Sequence, residues 1–396
     1  MNSIRLKLAL AVALAGALIS MPAVTTAADP FDIDVILPIT GGGTFVGKDQ
    51  VQSFAALEAA VNKTGGIQGR PVHFVISDDQ TNPALSVQLA NVVIAKKAAV
   101  ILGPTFAASC NAVAPLLKGG PVDYCFSPGA HPEPGSYQFS TSYSTNDLIA
   151  VAVRYFRERG LKRIATISST DASGQDGDRA VDLAFADPAN KDVTLVDREH
   201  FAPADLSVSA QLTRIKATNP QALIAWTSGT PFGTVLRNAG ETGLGIPIVT
   251  TDANITYAQM KQYAAILPSE MLFTGVPFLA PEQVTDKATK AAIKLFYDSL
   301  AATEGVKPGF SNANCWDPTW IVIAAFRKYG TGMSASQLHE YIATLRSYTG
   351  IHGPHDFVAY PQRGLGGGSV VIVRWDPSKG TWVGVSKPGG APIASR

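Results

Sequence analysis

The sequence is poor in charge, and neither sign dominates. Only 16% of its 396 residues are Asp, Glu, Lys or Arg; 32 are Lys or Arg and 31 are Asp or Glu, so the formal net charge is +1. Nucleic-acid binding needs clustered cations, so we expect no nucleic-acid partner. A hydrophobic content of 46% excludes general disorder. The length predicts about two to three domains of roughly 150 residues each.

The sequence also lacks an apolar run long enough to cross a membrane, which takes about 20 residues. Its longest candidate, 8–19, follows Arg5 and Lys7 and precedes small residues around Ala27. This order is typical of a cleaved secretory signal at 1–27, cut after Ala27 or the next residue. Cleavage would take the net charge from +1 to −1 by removing two cations. The mature protein is therefore expected to be soluble and periplasmic.

Cysteine is scarce, with Cys110, Cys125 and Cys315 as the only three. That count excludes a disulfide-rich scaffold, but an oxidising compartment allows one bond. Cys110 lies just after a predicted strand-to-helix turn and Cys125 lies in the next predicted strand. Neighbouring elements of a parallel sheet bring the two together, so we predict a Cys110–Cys125 disulfide and a free Cys315.

Apolar runs and helix-period segments alternate along the chain. Short, nearly continuous apolar runs, typical of buried strands, occur at 32–37, 72–77, 99–102 and 122–126. Between the first two, Phe54, Leu57 and Val61 share one helix face, and Asn82-Pro83 caps and opens a further helix. The same alternation of strands and helices continues, with strands near 163–169, 193–200, 222–226, 248–250 and 271–274. Two long helices follow at 286–303 and 317–329, and then a strand at 369–375. The order predicts an α/β fold with two lobes.

Gly42-x-x-x-x-Gly47-Lys48 has the spacing and the strand-to-helix setting of a phosphate loop. The next residue is Asp49, where Mg²⁺ coordination needs Ser or Thr, and an acid there would repel phosphate. Nucleotide binding is therefore rejected.

His352-x-x-His355-Asp356 could offer metal ligands, but Gly353 and Pro354 lie between the histidines. A catalytic zinc site needs three ligands in defined geometry, so a polar turn is the favoured interpretation. Asp78-Asp79 is interpreted in the same way, as a pair that caps or orients the turn before Pro83. No nucleophile motif is present. We expect no metal, no cofactor and no enzymatic activity.

Three glycine-rich turns join predicted strands to helices in the first half of the chain, at 40–45, 103–109 and 127–131. In an open α/β sheet, ligands bind at the carboxyl ends of the strands. Helix N-termini there carry unpaired N–H groups and a partial positive charge suited to a carboxylate. In an exported chain without catalytic residues, these turns favour solute binding.

The residues resemble the branched-chain-amino-acid type of periplasmic solute-binding protein that serves ABC importers. The matching stretches are Pro38-Ile39-Thr40-Gly41, Asn62-x-x-Gly65-Gly66-Ile67-x-Gly69, Asp78-Asp79-Gln80-x-Asn82-Pro83, Val100-Ile101-Leu102-Gly103-Pro104, Phe126-Ser127-Pro128-Gly129-Ala130 and Cys315-Trp316-Asp317-Pro318. The resemblance implies two Rossmann-like lobes of the periplasmic binding protein type I, joined by three crossovers. It places lobe 1 at 29–146 plus 277–350 and lobe 2 at 147–276 plus 351–396.

By the same resemblance, the ligand lies between the lobes, with its carboxylate on the lobe 1 turns. The positions expected to bind it are Thr44, Phe45, Thr105, Phe106, Ala107, Ser109, Gly129, Ala130, His131, Ser173, Trp226, Asp252 and Asn254. The sequence departs from the family pattern at four places: Ala107 replaces a Ser, His131 a Thr, Ser173 a Tyr, and Val46 or Phe45 the Tyr of the first turn. These departures argue against leucine, isoleucine or valine as ligand.

The resemblance leaves two ligand classes open. Ser173 frees volume and several aromatic residues lie near the expected pocket, which favours an aromatic or hydrophobic carboxylate. Asp252 favours an amino acid, because an acid at this position pairs with the ligand ammonium in amino-acid binders. We expect a monomer that delivers its solute to an ABC permease; a sensor that presents ligand to a chemoreceptor or kinase is the alternative.

Overall fold

The computed structural model describes residues 29–304 and 307–393. The signal peptide expected at 1–27 lies outside this range. The strands are β1 (Phe31–Leu37), β2 (Val72–Asp78), β3 (Val100–Leu102), β4 (Val122–Cys125), β5 (Gln138–Ser140), β6 (Arg163–Ser169), β7 (Thr194–Phe201), β8 (Ala222–Trp226), β9 (Ile248–Thr250), β10 (Met271–Gly275), β11 (Tyr348–Gly350), β12 (Gly353–His355), β13 (Val371–Asp376) and β14 (Thr381–Gly384).

The helices that connect and cover these strands follow the predicted order, with additional short ones. They are α1 (Thr44–Lys63), α2 (Pro83–Ala95), α3 (Ala107–Val113), α4 (Thr145–Glu158), α5 (Ala172–Ala186), α6 (Ser209–Ala217), α7 (Thr230–Glu241), α8 (Tyr257–Gln262), α9 (Lys287–Glu304), α10 (Phe310–Ala313), α11 (Trp316–Tyr329) and α12 (Ala335–Ala343).

The first lobe is built on a five-stranded parallel sheet in the order β2-β1-β3-β4-β5. Helices cover both faces of this sheet, so its inner strands are rich in apolar residues; Val35 and Leu37 of β1 are fully buried. The predicted start of α2 is present, since Asn82 Oδ1 accepts from the Ala84 N–H and Pro83 occupies the first turn. The order change next to β1 opens a crevice at the carboxyl ends of the strands.

The second lobe is built on a seven-stranded sheet in the order β14-β13-β10-β9-β8-β6-β7. Strands β6 to β10 are parallel, and β13 and β14 add an antiparallel edge. The α/β fold with two parallel-dominated lobes is therefore as predicted.

The chain passes between the lobes three times. After β5 it enters α4, which packs on α5 and β13 of the second lobe. After β10 it returns, and α9, α10 and α11 pack against α1 of the first lobe. After β12 it crosses again to β13. The exact lobe boundaries at 146/147, 276/277 and 350/351 stay a prediction.

A disulfide joins Cys110 of α3 to Cys125 of β4, with 5.8 Å between the Cα atoms, and this is the pair that the sequence predicts. Cys315 is a buried free thiol. The carboxyl group of Asp78 accepts from the backbone N–H groups of Ile39 and Gln80, and that of Asp79 accepts from Thr81. The two acids therefore orient the turns at the ends of β1 and β2, as expected.

The His352 segment is a turn, as the sequence suggests, but it is buried. It joins β11 to β12 in a buried antiparallel hairpin, and His352 has no exposed surface. Its Nδ1 lies 2.8 Å from Asp317 Oδ2, and Asp317 also accepts from the backbone N–H groups of Ile351 and His352. Burial alone would raise the pKa of Asp317, but the hydrogen bond and charge of His352 lower it. The histidine is buried because its partner is a carboxylate at the start of α11.

Candidate functional site

Two connected spaces lie between the lobes, at the carboxyl ends of the parallel strands. The inner cavity has a volume of about 30 Å³. The outer groove has a volume of about 390 Å³ and opens towards the surface. The segments that follow β3, β4, β6, β8 and β9 all line the inner cavity, which is the location expected for a ligand in an open α/β sheet.

The inner cavity combines aromatic rings with hydroxyl groups. Its aromatic side chains are Phe106, Phe126, Trp226 and Phe310, and its hydroxyl side chains are Thr105, Ser127, Thr145, Ser173, Ser228 and Thr251. Asn314 adds an amide. Among the described residues, no Asp, Glu, Lys, Arg or His lines this cavity. The space therefore offers apolar contact and neutral hydrogen bonds.

Several helices begin at this cavity. Thr145 is the first residue of α4 and Ser173 the second of α5, while Ser228 lies just before α7. The first N–H groups of a helix have no partner within the helix, and the helix dipole makes this end positive. Ser144 caps α4 and Asp171 caps α5 by accepting backbone N–H groups. The starts of α4 and α7 supply positive potential although the cavity lacks a cationic side chain, whereas the Asp171 carboxylate offsets the positive end of α5.

A buried network behind the cavity fixes the lobe 1 side. Thr105 Oγ1 donates to Gln50 Oε1 at 2.9 Å, and Gln50 Nε2 donates to Asn314 Oδ1 at 3.0 Å. Asn314 Nδ2 in turn donates to the Phe126 carbonyl at 3.2 Å. Sequence reasoning missed Gln50 and Asn314, although Asn314 directly precedes the recognised Cys315 motif. These hydrogen bonds connect α1 and the segment before α11 to the turns that follow β3 and β4.

Arg363 is a second residue that sequence reasoning missed. It is almost fully buried, and its guanidinium donates to the carbonyls of Pro128, Ala130, Thr141 and Ser142. Burial lowers the pKa of Arg363 to about 10, still well above neutrality. This cation therefore holds the 128–130 turn against the first crossover between the lobes.

His131 connects the two lobes at the edge of the site. Its Nε2 lies 2.8 Å from Asp176 Oδ1 of α5, and Arg179 lies 3.0 Å from the same oxygen. Burial alone would raise the pKa of Asp176, but hydrogen bonds from His131 and Thr145 and the charge of His131 lower it. His131 thus contacts the opposite lobe and does not line either space.

Asp252 is fully buried directly behind the cavity wall. Its neighbours Thr251 and Ala253 line the inner cavity, whereas Asp252 does not. Thr251 Oγ1 donates to its Oδ1 at 2.9 Å, and Oδ2 has no hydrogen-bond partner among the described residues. Burial raises the pKa of Asp252 to about 7, against the effect of the Thr251 hydrogen bond. At neutral pH this carboxyl is therefore partly protonated.

The structure brings together six of the thirteen residues predicted to bind ligand. Thr105, Phe106, Gly129, Ser173 and Trp226 line the inner cavity; Ser109 lines the outer groove, which Phe106 and Ser173 also reach. The other seven, Thr44, Phe45, Ala107, Ala130, His131, Asp252 and Asn254, line neither space. Thr44 Oγ1 donates to the Ile39 carbonyl, Phe45 packs on Tyr263, Ala130 packs beside the disulfide, and Asn254 donates to the Thr227 carbonyl.

Glycines allow two aromatic rings to lie where they do. A Cβ on Gly43 would come within 2.3 Å of the Phe106 ring, and a Cβ on Gly177 within 2.2 Å of the Trp226 ring. Both contacts are shorter than any side chain permits, so the rings rest directly on glycine backbone. Phe106 is thereby held between the inner cavity and the outer groove.

No helix in residues 29–304 or 307–393 is long and apolar enough to cross a membrane. No group of three or more His, Cys, Asp and Glu residues in the same part of the chain is arranged to hold a metal ion.

Comparison with curated proteins finds relatives named for branched-chain amino acids. The chain is 28% identical over 221 residues to the Leu/Ile/Val-binding protein homolog 6 of Brucella suis, which covers 54% of this chain and 55% of the relative. The homologue from Brucella abortus matches to the same extent. The alignment thus spans about half the length of the curated relatives.

Solved structures share the fold at low sequence identity. LivJ, the branched-chain amino acid transporter substrate-binding protein of Streptococcus pneumoniae, solved with isoleucine, is 18% identical with a TM-score of 0.74 over 89% of this chain and 97% of its own. A solute-binding protein of an ABC transporter from Rhodopseudomonas palustris, solved with benzoate, is 16% identical with a TM-score of 0.72 over 93% and 98%. A family model described as periplasmic binding protein matches residues 30–381. The chain therefore belongs to the periplasmic binding protein family.

Proposed function

We propose that this protein captures a small aromatic or hydrophobic carboxylate between its lobes and delivers it to an ABC-type permease. The observation that carries the proposal is the chemistry of the inner cavity. It presents four aromatic rings, the starts of helices and six hydroxyl side chains, of which Ser127, Ser173 and Ser228 donate to no other group in the described part of the chain. None of the described charged side chains lines it. Helix N-termini and hydroxyls bind a carboxylate without a cationic side chain.

The position of Asp252 supports a carboxylate without an ammonium group. An amino-acid ligand carries a cation whose burial needs an anionic partner. Asp252 is the acid expected to serve, yet its carboxyl lies behind Thr251 and Ala253 and its pKa is raised to about 7 by burial. A partly protonated carboxyl outside the cavity is a poor partner for an ammonium group.

The comparisons agree with either ligand class. The curated relatives are named for leucine, isoleucine and valine, and one structural neighbour was solved with benzoate. The choice of an aromatic or hydrophobic carboxylate therefore depends on the chemistry of the cavity. An amino acid is the alternative ligand.

A thermal-shift and calorimetric panel tests the proposal. Benzoate, phenylacetate, phenylpropanoate and hexanoate are compared with leucine, isoleucine, valine and phenylalanine on the mature protein, refolded from denaturant to remove copurified ligand. A ligand at about 100 times its Kd adds about 2.7 kcal/mol to the unfolding free energy. We expect stabilisation by the simple carboxylates. Stabilisation by the amino acids alone would overturn the ligand class.

A further inference from the structure

The outer groove is continuous with the inner cavity and much larger. Phe106, Ser173 and Ser228 line both spaces, so the two meet at these residues. The volumes are about 30 Å³ for the inner cavity and about 390 Å³ for the outer groove. A solute anchored in the inner cavity therefore faces the outer groove directly.

The two volumes suit different parts of one ligand. A space that holds one water measures about 10–15 Å³, so the inner cavity has room for about two waters or the two oxygens of a carboxylate. A benzene ring occupies a cavity on the order of 150 Å³. Of the two spaces, only the outer groove is that large. The headgroup and the body of the ligand are thus accommodated separately.

The outer groove is formed by both lobes, and each lobe contributes apolar side chains to it beside hydroxyl groups. Pro83 and Ala108 come from the first lobe, and Pro203, Ala204 and Pro231 from the second. A body that fills it contacts both lobes and stabilises their contact by burying apolar surface.

Asp171 is the only charged side chain of the described chain that lines the groove. Its Oδ1 accepts from the Gly174 N–H and from Ser169 Oγ, both at 2.9 Å, so the carboxylate is fixed at the start of α5. A second negative charge on the ligand body would lie close to this carboxylate and be repelled. The groove therefore selects against dicarboxylates.

We infer that the ligand is an elongated monocarboxylate. Its carboxylate lies in the inner cavity, its aryl or alkyl body passes Phe106 into the outer groove, and its far end is uncharged. This inference rests on the proposed function, because it assumes that a carboxylate is the bound group, and it adds the shape, direction and charge of the molecule.

Calorimetry with a length series tests the shape. The length series consists of benzoate, phenylacetate, phenylpropanoate and phenylbutanoate. A fifth ligand, phenylpropanoate with a second carboxylate on the ring carbon opposite the chain, tests the effect of charge at the far end. Each methylene that enters the groove should tighten binding about fourfold. The dicarboxylate should bind about tenfold or more weakly than its parent, because of the repulsion by Asp171.

Two variants that narrow the groove test the location. Ala108→Leu fills the lobe 1 wall and should reduce the ratio of phenylbutanoate to benzoate affinity by about tenfold. Ala204→Trp should act in the same direction from the lobe 2 rim. Its matched control is Ala202→Trp, since Ala202 and Ala204 are both exposed in one loop but only Ala204 lines the groove. These exposed positions keep the test valid if Ala108→Leu does not fold.

The outcomes separate this inference from the proposed function. A length-dependent gain that Ala204→Trp reduces and Ala202→Trp leaves intact supports the elongated ligand. Equal affinity across the series, or equal effects of the two Trp variants, overturns it while leaving a carboxylate binder in place. Failure of every carboxylate to bind overturns both.

Discussion

Replacing Asp252 by Asn should stabilise the protein at neutral pH and make its stability less dependent on pH. The carboxyl is fully buried, with one hydrogen bond from Thr251 and an Oδ2 that has no partner among the described residues. Burial raises its pKa from 3.8 to about 7. Each tenfold change in an acid constant corresponds to about 1.4 kcal/mol, so ionisation in the folded protein costs about 4 kcal/mol.

The sign follows from proton binding. Between about pH 4 and pH 7 the folded protein keeps the Asp252 proton, whereas the unfolded chain has lost it. Stability falls with rising pH wherever the folded state binds more protons. The wild type should therefore lose about 4 kcal/mol across this interval through Asp252, and the substitution Asp252→Asn removes that loss with little change in side-chain shape.

Urea unfolding followed by tryptophan fluorescence measures the effect. The unfolding free energies of wild type and Asp252→Asn are compared at about pH 5, 6, 7 and 8. Their difference should grow with pH and level off above about pH 7. Asp32→Asn, at an exposed position in β1, controls for the loss of one carboxylate. A difference that is the same at every pH would refute the buried, partly protonated carboxyl.

Four further changes should have measurable effects. Replacing Cys110 and Cys125 by Ser opens a loop of 15 residues and should lower the unfolding free energy by about 3 kcal/mol in denaturant titrations; an unchanged value would mean that the bond adds no stability. Gly177→Ala pushes a Cβ into the Trp226 ring and should destabilise by about 1–3 kcal/mol with a changed tryptophan emission spectrum; a wild-type spectrum would contradict this contact. Asp317→Asn removes the carboxylate that accepts from the backbone N–H groups of Ile351 and His352 and should destabilise by about 1–3 kcal/mol at neutral pH. Because the pKa of Asp317 is lowered, the difference from wild type should shrink as the pH falls below 3.8, the ordinary pKa of Asp; a pH-independent difference would rule out an ionised Asp317. His131→Ala removes the contact to Asp176 across the lobes and should weaken ligand binding by about two- to fivefold in calorimetry, with His73→Ala on the surface of lobe 1 as control; equal affinities of all three proteins would exclude a contribution to closure.

The sequence predicted most of the parallel framework because buried strands there are continuous apolar runs. β1, β4 and β8 lie within a residue of their expected bounds. It did not predict β5, whose three residues Gln-Phe-Ser carry no strand pattern. Gln138 is buried there because its Nε2 donates to Asp123 Oδ2 and the Cys110 carbonyl. A polar strand held by distant partners leaves no periodic signal.

Site residues that follow soon after a strand could be predicted from the sequence. Site residues that are held by long-range contacts were missed. Thr105 and Ser173 line the cavity because they directly follow β3 and β6. Gln50 reaches Asn314 across 264 positions, a pairing that no local pattern contains. The family resemblance placed Asp252 on a cavity turn, but it did not indicate that the carboxyl lies behind the cavity wall.

The return of α9 and α10 to α1 has a consequence for the order in which the chain folds. The first sheet is complete at residue 140, yet the helices that cover α1 begin at residue 287, so about 150 residues separate them. At synthesis rates of about 5–20 residues per second, this delay is about 7–30 s. Throughout that interval the outer surface of α1 is uncovered on the nascent chain. The lobe that contains most of the predicted carboxylate-binding turns therefore cannot complete its core until about three quarters of the sequence have been made.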